Sequence, residues 1–235
     1  MIYEDFNRNI IETDERYRTV YNLIANDSKV LDIGCATARF SKYLISKGCK
    51  VTGLELDTDA VERAKGIINT VICGNIEDSK TFEFLQKFDY ILLLDVLEHL
   101  IDPVSCLKKI HKHLLQRAKV IVSLPNIAHW SIRRNLLFGN FDYCETGGLL
   151  DVNHRNFFTL NSARRAFLIA QYRIIREEYF TYGLPLFNAK RPFLNKLSNQ
   201  FPLKQVVSTI VKQFPGLFTY QFLFVLEESN ITNNG

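Results

Sequence analysis

One turn in the sequence has the residue types that bind a ligand through backbone amides. The segment Asp32-Ile33-Gly34-Cys35-Ala36-Thr37-Ala38 follows an apolar run and precedes a helical pattern. A glycine at such a place lets the chain turn tightly and lets amide groups approach a ligand. A dinucleotide site needs three glycines spaced as G-x-G-x-x-G, but Ala36 and Arg39 occupy the second and third positions. The turn therefore predicts a ligand-binding loop and excludes the dinucleotide fingerprint.

Three further polar residues follow the later apolar runs. Glu55 ends the second run, 21 residues after Gly34, and a carboxylate there can accept hydrogen bonds from both hydroxyls of a ribose. Asn75 lies in the segment Gly-Asn-Ile-Glu-Asp, 74–78, after the third run, and this segment also suits an ordinary turn. Asp95 follows the fourth run, where its carboxylate would favour a cationic group.

Elements that alternate strand and helix must position these residues. Five alternations in the first 125 residues predict an α/β fold with a parallel doubly wound sheet, whose ligands bind at the carboxyl ends of the strands. The predicted strands are 29–34, 51–56, 70–73, 89–94 and 119–124, and the predicted helices are 38–48, 57–65, 78–88 and 103–115. After Pro125 the predicted elements are a helix at 161–171, a strand at 172–182, a helix at 203–214 and a strand at 220–226, while 126–158 has no clean period.

In this order, the segments resemble those of the class I S-adenosylmethionine-dependent methyltransferases. Residues 30–40 are similar to motif I, in which the family usually has three glycines, and residues 88–103, with Leu-Glu-His and Asp-Pro at their end, are similar to motif IV. The resemblance implies a Rossmann-like, mostly parallel seven-stranded sheet with an antiparallel C-terminal strand, in a single domain. It implies S-adenosylmethionine as cofactor and S-adenosylhomocysteine as product. The cofactor-binding residues it implies are Asp32, Gly34, Cys35, Ala36, Glu55, Leu56, Asn75, Ile76 and Asp95.

The region at 123–159 resembles one branch of that family, the small-molecule and sugar methyltransferases associated with bacterial surface polysaccharides. It keeps the branch's Pro-Asn-x-x-His-Trp, Phe-Asp-Tyr and Phe-Phe-Thr patterns, and departs from the branch at Asn153 and Asn156. The resemblance implies substrate-binding roles for Asn126, His129, Trp130, Phe141, Tyr143 and Asp151. Methyl transfer to a hydroxyl benefits from a general base near neutral pKa. His154 is the first candidate, with Asp151 as its orienting partner, and His99 the second, whereas an amine acceptor would need no strong base.

Bulk composition limits the class of protein. The chain has 235 residues, of which 47% are apolar and 23% charged, and it contains no apolar run long enough for a membrane span. Five scattered cysteines without CxxC spacing predict reduced thiols in the cytoplasm, and no metal-ligand cluster stands out. Residues 1–103 carry 12 Lys+Arg against 18 Asp+Glu, and residues 104–235 carry 17 against 7. The basic half is either a solvated surface or the side that meets an anionic substrate.

Three functions follow from these patterns. The leading hypothesis is methyl transfer to an oxygen of a small molecule such as a sugar or nucleotide-linked sugar. The second is a ubiquinone-pathway-type O-methyltransferase acting on a lipid-tailed phenol, and the third is a non-catalytic cofactor-binding protein, because Ala36 and Ala38 replace glycines. Neither a nucleic-acid partner nor an integral membrane contact is predicted, and the oligomeric state stays open. We expect a helical lead-in at 1–27 and a methyltransferase domain at 28–235, with 126–158 and 183–217 as substrate-side insertions.

Overall fold

A single seven-stranded sheet organises the computed structural model, which describes residues 9–68, 70–83, 85–181 and 209–229. The strand order is β3-β2-β1-β4-β5-β7-β6; β1 to β5 are parallel, and β7 runs antiparallel between β5 and β6. The predicted sheet and its antiparallel C-terminal strand are therefore confirmed. The strands are β1 Lys29–Ile33, β2 Lys50–Glu55, β3 Thr70–Cys73, β4 Phe88–Leu94, β5 Leu114–Pro125, β6 Tyr172–Phe180 and β7 Gln221–Glu228.

Helices connect the strands and cover the sheet. None of the described helices is both long and apolar enough to cross a membrane, and all five cysteines are free. The helices are α1 Ile10–Thr13, α2 Glu15–Leu23, α3 Ser41–Ile45, α4 Thr58–Lys65, α5 Ser79–Glu83, α6 Pro103–Ile110, α7 Trp130–Leu137, α8 Leu160–Ile169 and α9 Pro215–Phe218, with short 3-10 helices at Leu97–His99 and His111–His113.

Three predicted helices were too long. The helices predicted at 38–48 and 78–88 are Ser41–Ile45 and Ser79–Glu83 in the structure. The helix predicted at 103–115 ends at Ile110, because Leu114 begins β5 and pairs with Phe88 of β4. The region 126–158, which has no clean period in the sequence, contains α7, and His129 caps its N-terminus with its side chain. The predicted helix at 203–214 and the predicted insertion at 183–217 lie outside the described residues up to 208, and 209–213 are helical.

The continuous apolar runs of the central strands arise because both faces of the sheet are buried. Side chains alternate across a strand, so Leu31 and Ile33 of β1 enter one core while Val30 enters the other. The same alternation places Leu93 of β4 in the first core and Leu92 in the second. The sheet is therefore the middle one of three layers, with helices on both of its faces.

The strand order reverses between β1 and β4. The chain moves outward from β1 to β3 and then returns to add β4 on the other side of β1. The connections leaving β1 and β4 therefore diverge and open a crevice at the carboxyl ends of these strands, which is where open α/β sheets bind ligands. Gly34 follows β1 and Asp95 follows β4, so both predicted ligand-binding residues border this crevice.

Candidate active site

The turn after β1 keeps a glycine-type backbone although two of its expected glycines are alanines. Gly34, Ala36 and Ala38 all have positive φ, of +69°, +48° and +55°. An alanine in this left-handed region costs roughly 1–2 kcal/mol, so hydrogen bonds must hold the turn. The Gly34 amide donates to the Leu54 carbonyl of β2 at 2.8 Å, and the Ala38 amide donates to the Cys35 carbonyl at 2.8 Å.

Glu55, at the end of β2, holds the same turn from the other side. One oxygen of its carboxylate accepts from the Ala36 amide at 2.8 Å, and the other accepts from the amides of Leu56 and Asp57 at 2.7 and 3.0 Å. A carboxylate has about four acceptor positions, so Glu55 can still accept from a ligand. The sequence predicted only that Glu55 contacts a ligand. The structure shows that Glu55 also stabilises the turn after β1.

Asp32 lies beneath the turn and does not face the crevice. It is 4% exposed and accepts a 2.5 Å hydrogen bond from the Ser41 hydroxyl. Burial raises the pKa of Asp32 to about 6; the Ser41 hydrogen bond opposes the rise, and the charge of Glu55 adds to it. Asp32 therefore supports the cofactor turn from inside the core.

Replacing Asp32 with asparagine is expected to stabilise the protein above pH 6. Because its folded-state pKa is raised from an ordinary value near 4 to about 6, the folded state binds the proton more tightly, and stability falls as pH rises through this window. The loss reaches about 2–3 kcal/mol at pH 7.5. The side chain of the Asp32→Asn variant would still accept from Ser41 without carrying the charge.

Urea unfolding at pH 4.5 and 7.5 tests this expectation. The Asp32→Asn variant should gain most at pH 7.5 and little at pH 4.5. Asp57→Asn is the matched control, because Asp57 is an exposed N-cap of α4, a position that asparagine fills equally well. Equal stability of Asp32→Asn and the parent protein at pH 7.5 would show that Asp32 carries no burial penalty.

The residues predicted to surround an adenine are only partly placed for it. Asn75 is exposed, and its side-chain oxygen accepts from the Glu77 amide at 2.9 Å, which forms a tight turn. Leu56 is 65% exposed and can cover a ligand. Ile76 and Cys35 are buried, with 5% and 7% of their surface exposed, so these two have little surface to offer.

Asp95 has a charged partner from the N-terminal helix. Its carboxylate accepts from the guanidinium of Arg16 on one oxygen, and from Gln221 and the Ser123 hydroxyl on the other, the last at 2.8 Å. Asp95 has a positive φ of +59°, which turns the chain sharply out of β4. Arg16 is 9% exposed. Sequence reasoning missed this arginine, whose one signal was its place among the apolar residues of α2.

A cavity of about 540 Å³ opens beside the Arg16–Asp95 pair. The carboxyl groups of Asp95, Glu98 and Asp151 and two histidines line it, together with apolar surface. Its lining residues are Arg16, Asp95, Glu98, His99, Pro125, Gly148, Asp151, His154, Tyr220 and Gln221. Asp95 therefore borders both the crevice at the switch point and this cavity.

Both predicted base candidates line this cavity. The rings of His99 and His154 meet edge to face with centroids 4.9 Å apart. Burial lowers the pKa of His154, and the neighbouring His99 lowers it further, so this histidine is neutral at pH 7. Burial and then the charge of Asp95 raise the pKa of Glu98 well above its usual range. Sequence reasoning named His99 and missed the adjacent Glu98.

The predicted orientation of His154 by the Asp151 carboxylate was wrong. That carboxylate instead accepts from the backbone and side-chain nitrogens of Asn153, at 2.8 and 3.0 Å. The backbone amide of His154 bonds the carbonyl of Asp151 at 3.0 Å. The segment is thus a tight turn whose own hydrogen bonds leave the His154 side chain pointing at the cavity.

Other predicted substrate residues lie deeper or farther out. Asn126 is fully buried, donates to the Thr219 and Gly216 carbonyls at 2.7 and 3.2 Å, and accepts from the Ala128 amide. His129 is 4% exposed; burial lowers its pKa to about 4. Among the described residues, the cavity lining includes neither these two nor Trp130, which packs on His129 and on Arg134.

Phe141 and Tyr143 belong to an exposed aromatic cluster next to the cavity. They are 40% and 55% exposed, and both rings contact Phe157. The ring of Phe157 in turn lies 6.3 Å from that of His154. Phe157 therefore connects the two predicted aromatic residues to the cavity rim, where they can cover an acceptor.

Comparison with protein families gives one match that covers most of the site. A family model described as Methionine biosynthesis protein MetW matches residues 14–146, which is more than half of the chain. The matched span includes the turn after β1, Glu55, Asp95 and Glu98. It ends before Asp151 and His154.

Curated relatives match a shorter part. The Ubiquinone biosynthesis O-methyltransferase of Proteus mirabilis is 31% identical over 104 residues, which are 42% of this chain and 42% of that protein. The protein of the same name from Vibrio vulnificus is 33% identical over 86 residues, 34% of this chain and 36% of that protein. The chain thus spans less than half the length of these relatives.

Solved structures match nearly the whole chain. A SAM dependent methyltransferase from Archaeoglobus fulgidus superposes with a TM-score of 0.62 at 14% identity, covering 94% of this chain and 95% of that one. A methyltransferase from Mesorhizobium loti, described as S-adenosylmethionine dependent, gives 0.62 at 14% identity, covering 92% and 99%. The fold of this chain is therefore the one that these methyltransferases have.

Proposed function

The chain belongs to the MetW family, and from this premise and the site geometry we propose that it is an S-adenosylmethionine-dependent methyltransferase that modifies a hydroxyl of a small molecule. The observation that carries the proposal is the cavity of about 540 Å³ that adjoins Asp95 and is lined by His99 and His154. A cofactor crevice alone would suit a binding protein, whereas a crevice with an adjoining cavity that holds two histidines suits group transfer. The predicted cytoplasmic location is part of this proposal.

The residues at the crevice fit the chemical groups of the cofactor. Glu55 offers carboxylate lone pairs to ribose hydroxyls, and Leu56 offers exposed apolar surface. Arg16 and Asp95 lie together at the inner end, where a guanidinium suits a carboxylate and a carboxylate suits an ammonium or sulfonium group. This pair matches the amino-acid end of S-adenosylmethionine in charge.

When bound, S-adenosylmethionine supplies a methyl group on a sulfonium, which is a good leaving group. The protein's own residues then have to align the acceptor, exclude water and take up a proton. His154 and His99 lie where a hydroxyl could donate to them, and burial keeps His154 neutral and able to accept a proton. Phe141 and Tyr143 supply exposed aromatic surface that can exclude water.

A hydroxylated acceptor such as a sugar or nucleotide-linked sugar is the first candidate. Hydroxyl groups need hydrogen-bond partners, and the carboxylates of Asp95, Glu98 and Asp151 line this cavity. The basic balance of the C-terminal half suits an anionic group of the substrate that stays outside the carboxyl-lined cavity.

A lipid-tailed phenol is the second candidate. The relatives from Proteus mirabilis and Vibrio vulnificus are named for ubiquinone biosynthesis. At the end of α7 this chain exposes Leu136, Leu137 and Phe138, with 52%, 81% and 72% of their surface accessible. Exposed apolar side chains in a row can hold a lipid tail or a membrane surface.

Methyl-transfer assays with both acceptor classes test the proposal. The purified protein should bind S-adenosylmethionine with micromolar affinity by calorimetry, and should release S-adenosylhomocysteine with one class only. Nucleotide sugars form one panel, and catechols with and without an isoprenoid tail form the other. Turnover that needs the tail, and falls when Leu137→Ser is introduced, would favour the lipid phenol. Absence of binding by folded protein to either cofactor form would overturn the proposal.

A further inference from the structure

Three potential metal ligands meet at the floor of the acceptor cavity. Glu98, His99 and His154 each place one ligand atom so that all of these atoms lie within 4.8 Å of one another. Two ligands at tetrahedral positions on one ion lie about 3.4 Å apart, because each bond is about 2.1 Å long. Rotation of the three side chains therefore has to bring the ligand atoms closer by up to about 1.4 Å. We propose that these three residues bind a divalent transition-metal ion, for which zinc is the reference.

The carboxylate of Glu98 needs a partner that the described residues do not supply. The residue is 1% exposed, and among those residues its Oε2 atom has no hydrogen-bond partner. A buried carboxylate oxygen is costly unless it is paired or bound to a metal. The Nδ1 atom of His154 is also buried and has no partner at normal hydrogen-bond geometry in the described part of the chain, although the Leu149 backbone lies close to the ring. Two of the three residues thus carry unsatisfied atoms.

The third residue has the support that a metal-binding histidine requires. The Nδ1 atom of His99 lies 3.1 Å from the Asn153 carbonyl, which can only accept a hydrogen bond. The proton therefore resides on Nδ1, and Nε2 keeps its lone pair for an ion. A backbone carbonyl in this place fixes the tautomer and orientation of metal-binding histidines.

Backbone hydrogen bonds hold the two halves of the site together. The amides of Arg155 and Asn156 both donate to the Glu98 carbonyl, at 2.8 and 2.9 Å. The Asn156 side chain donates to the Leu100 carbonyl at 2.6 Å. The backbone next to His154 is therefore held beside Glu98, although 56 positions separate His154 and Glu98 in sequence.

The donor set selects the kind of ion. Two imidazoles and one carboxylate are typical of zinc and other first-row transition metals, whereas magnesium and calcium prefer oxygen ligands. Asp95 and Asp151 lie close enough to add negative potential at Glu98, which Arg16 offsets in part. Three protein ligands leave a position open toward the cavity, as in catalytic zinc sites.

The open position lets the ion bind the acceptor hydroxyl, and this catalytic role rests on the proposed methyltransferase function. The existence of the metal site does not rest on it. A hydroxyl oxygen bound there becomes more acidic and loses its proton to solvent. That oxygen then forms the new bond to the methyl carbon while the sulfur–carbon bond breaks and its electron pair stays on sulfur. With the ion bound, the two histidines hold the metal instead of taking the proton.

Calorimetric titration of chelator-treated, full-length protein with zinc chloride tests the site. One ion per chain should bind with micromolar or tighter affinity, and His154→Ala and His99→Ala should each weaken binding at least about 30-fold. Cobalt should give a visible absorption band that both variants lose. His113→Ala, which removes a histidine outside the cavity, and Cys144→Ser, which removes an exposed thiol, should leave binding unchanged.

The outcomes separate the two proposals. Unchanged zinc affinity in folded His154→Ala and His99→Ala, or binding that Cys144→Ser removes, overturns the metal site. Glu98→Gln removes the negative charge but keeps the size of the side chain. The zinc affinity of this variant therefore tests whether the buried carboxylate binds the ion, without creating a cavity. Cofactor binding without zinc binding would remove the metal site and leave the methyltransferase proposal intact. Zinc binding without cofactor binding would do the reverse.

Discussion

Replacing Glu55 with alanine is expected to weaken S-adenosylmethionine binding at least about 10-fold. The carboxylate has about one acceptor position left after its three backbone amides, and a hydrogen bond from a ribose hydroxyl to this charged acceptor contributes roughly 1.5–3 kcal/mol, where every 1.4 kcal/mol is about tenfold in affinity. The variant also loses the acceptor for the Ala36 amide, which holds the turn at 2.8 Å. Both effects act in the same direction, since the turn would lose its shape as well as its ribose partner.

Titration with S-adenosylhomocysteine measures this loss without turnover. Glu62→Ala is the matched control, because Glu62 is exposed on α4 and its ion pair is with Lys65 at 2.6 Å. Glu55→Ala should keep the circular dichroism spectrum of a folded protein while its binding heat disappears. Parent-like affinity in this variant would mean that the ribose lies elsewhere, and the cofactor assignment of the whole turn would fail.

The sheet could be predicted because it depends on local patterns. Each central strand is a short apolar run that ends in a polar or glycine residue, and each helix between strands has its own periodicity. A strand that is buried on both faces is a nearly continuous apolar run, so it can be recognised without knowing which strands pair with it. The error at the end of α6 has the same origin: Leu114 and Leu115 continue the helical stripe, yet pairing with β4 draws Leu114 into β5.

The shape of the turn after β1 could not be predicted, because two opposing free-energy contributions of similar size determine it. The left-handed conformation of Ala36 and Ala38 costs roughly 1–2 kcal/mol each. The hydrogen bonds from Gly34 to Leu54 and from Ala36 to Glu55 offset this cost. The conformational cost can be read from the two alanines in the sequence. The hydrogen bond that offsets it is accepted by Glu55, 19 positions after Ala36.

Long-range polar pairs were the main part of the site that sequence reasoning missed. Arg16 and Asp95 are 79 positions apart, and no local pattern links them. Glu98 looked like an ordinary member of a motif until its burial was known. Conversely, Asn126 was predicted to meet substrate from its motif, yet its amide ties β5 to the backbone near α9.

The second large expected effect concerns that long-range pair. Arg16→Met should lower the free energy of unfolding by about 3 kcal/mol, because removal of one partner leaves a charge without compensation. The value lies at the low end of the usual range since the Asp95 side chain is 35% exposed and keeps some water. Burial works against the charged form of Arg16, but Asp95, Tyr17 and Asp14 together raise its pKa above the usual value.

Urea unfolding of the parent protein, Arg16→Met, Asp95→Asn, their double variant and a control separates the charge effect from lost packing. Arg18→Met on the same helix is the control, because Arg18 is exposed and its loss should cost under about 0.5 kcal/mol. The double variant Arg16→Met/Asp95→Asn should recover part of the loss, since the remaining group no longer carries a charge. If the double variant is as unstable as the sum of the two single changes, the pair is not coupled. Apolar contacts would then stabilise the helical lead-in, and the role of Arg16 would be limited to ligand binding.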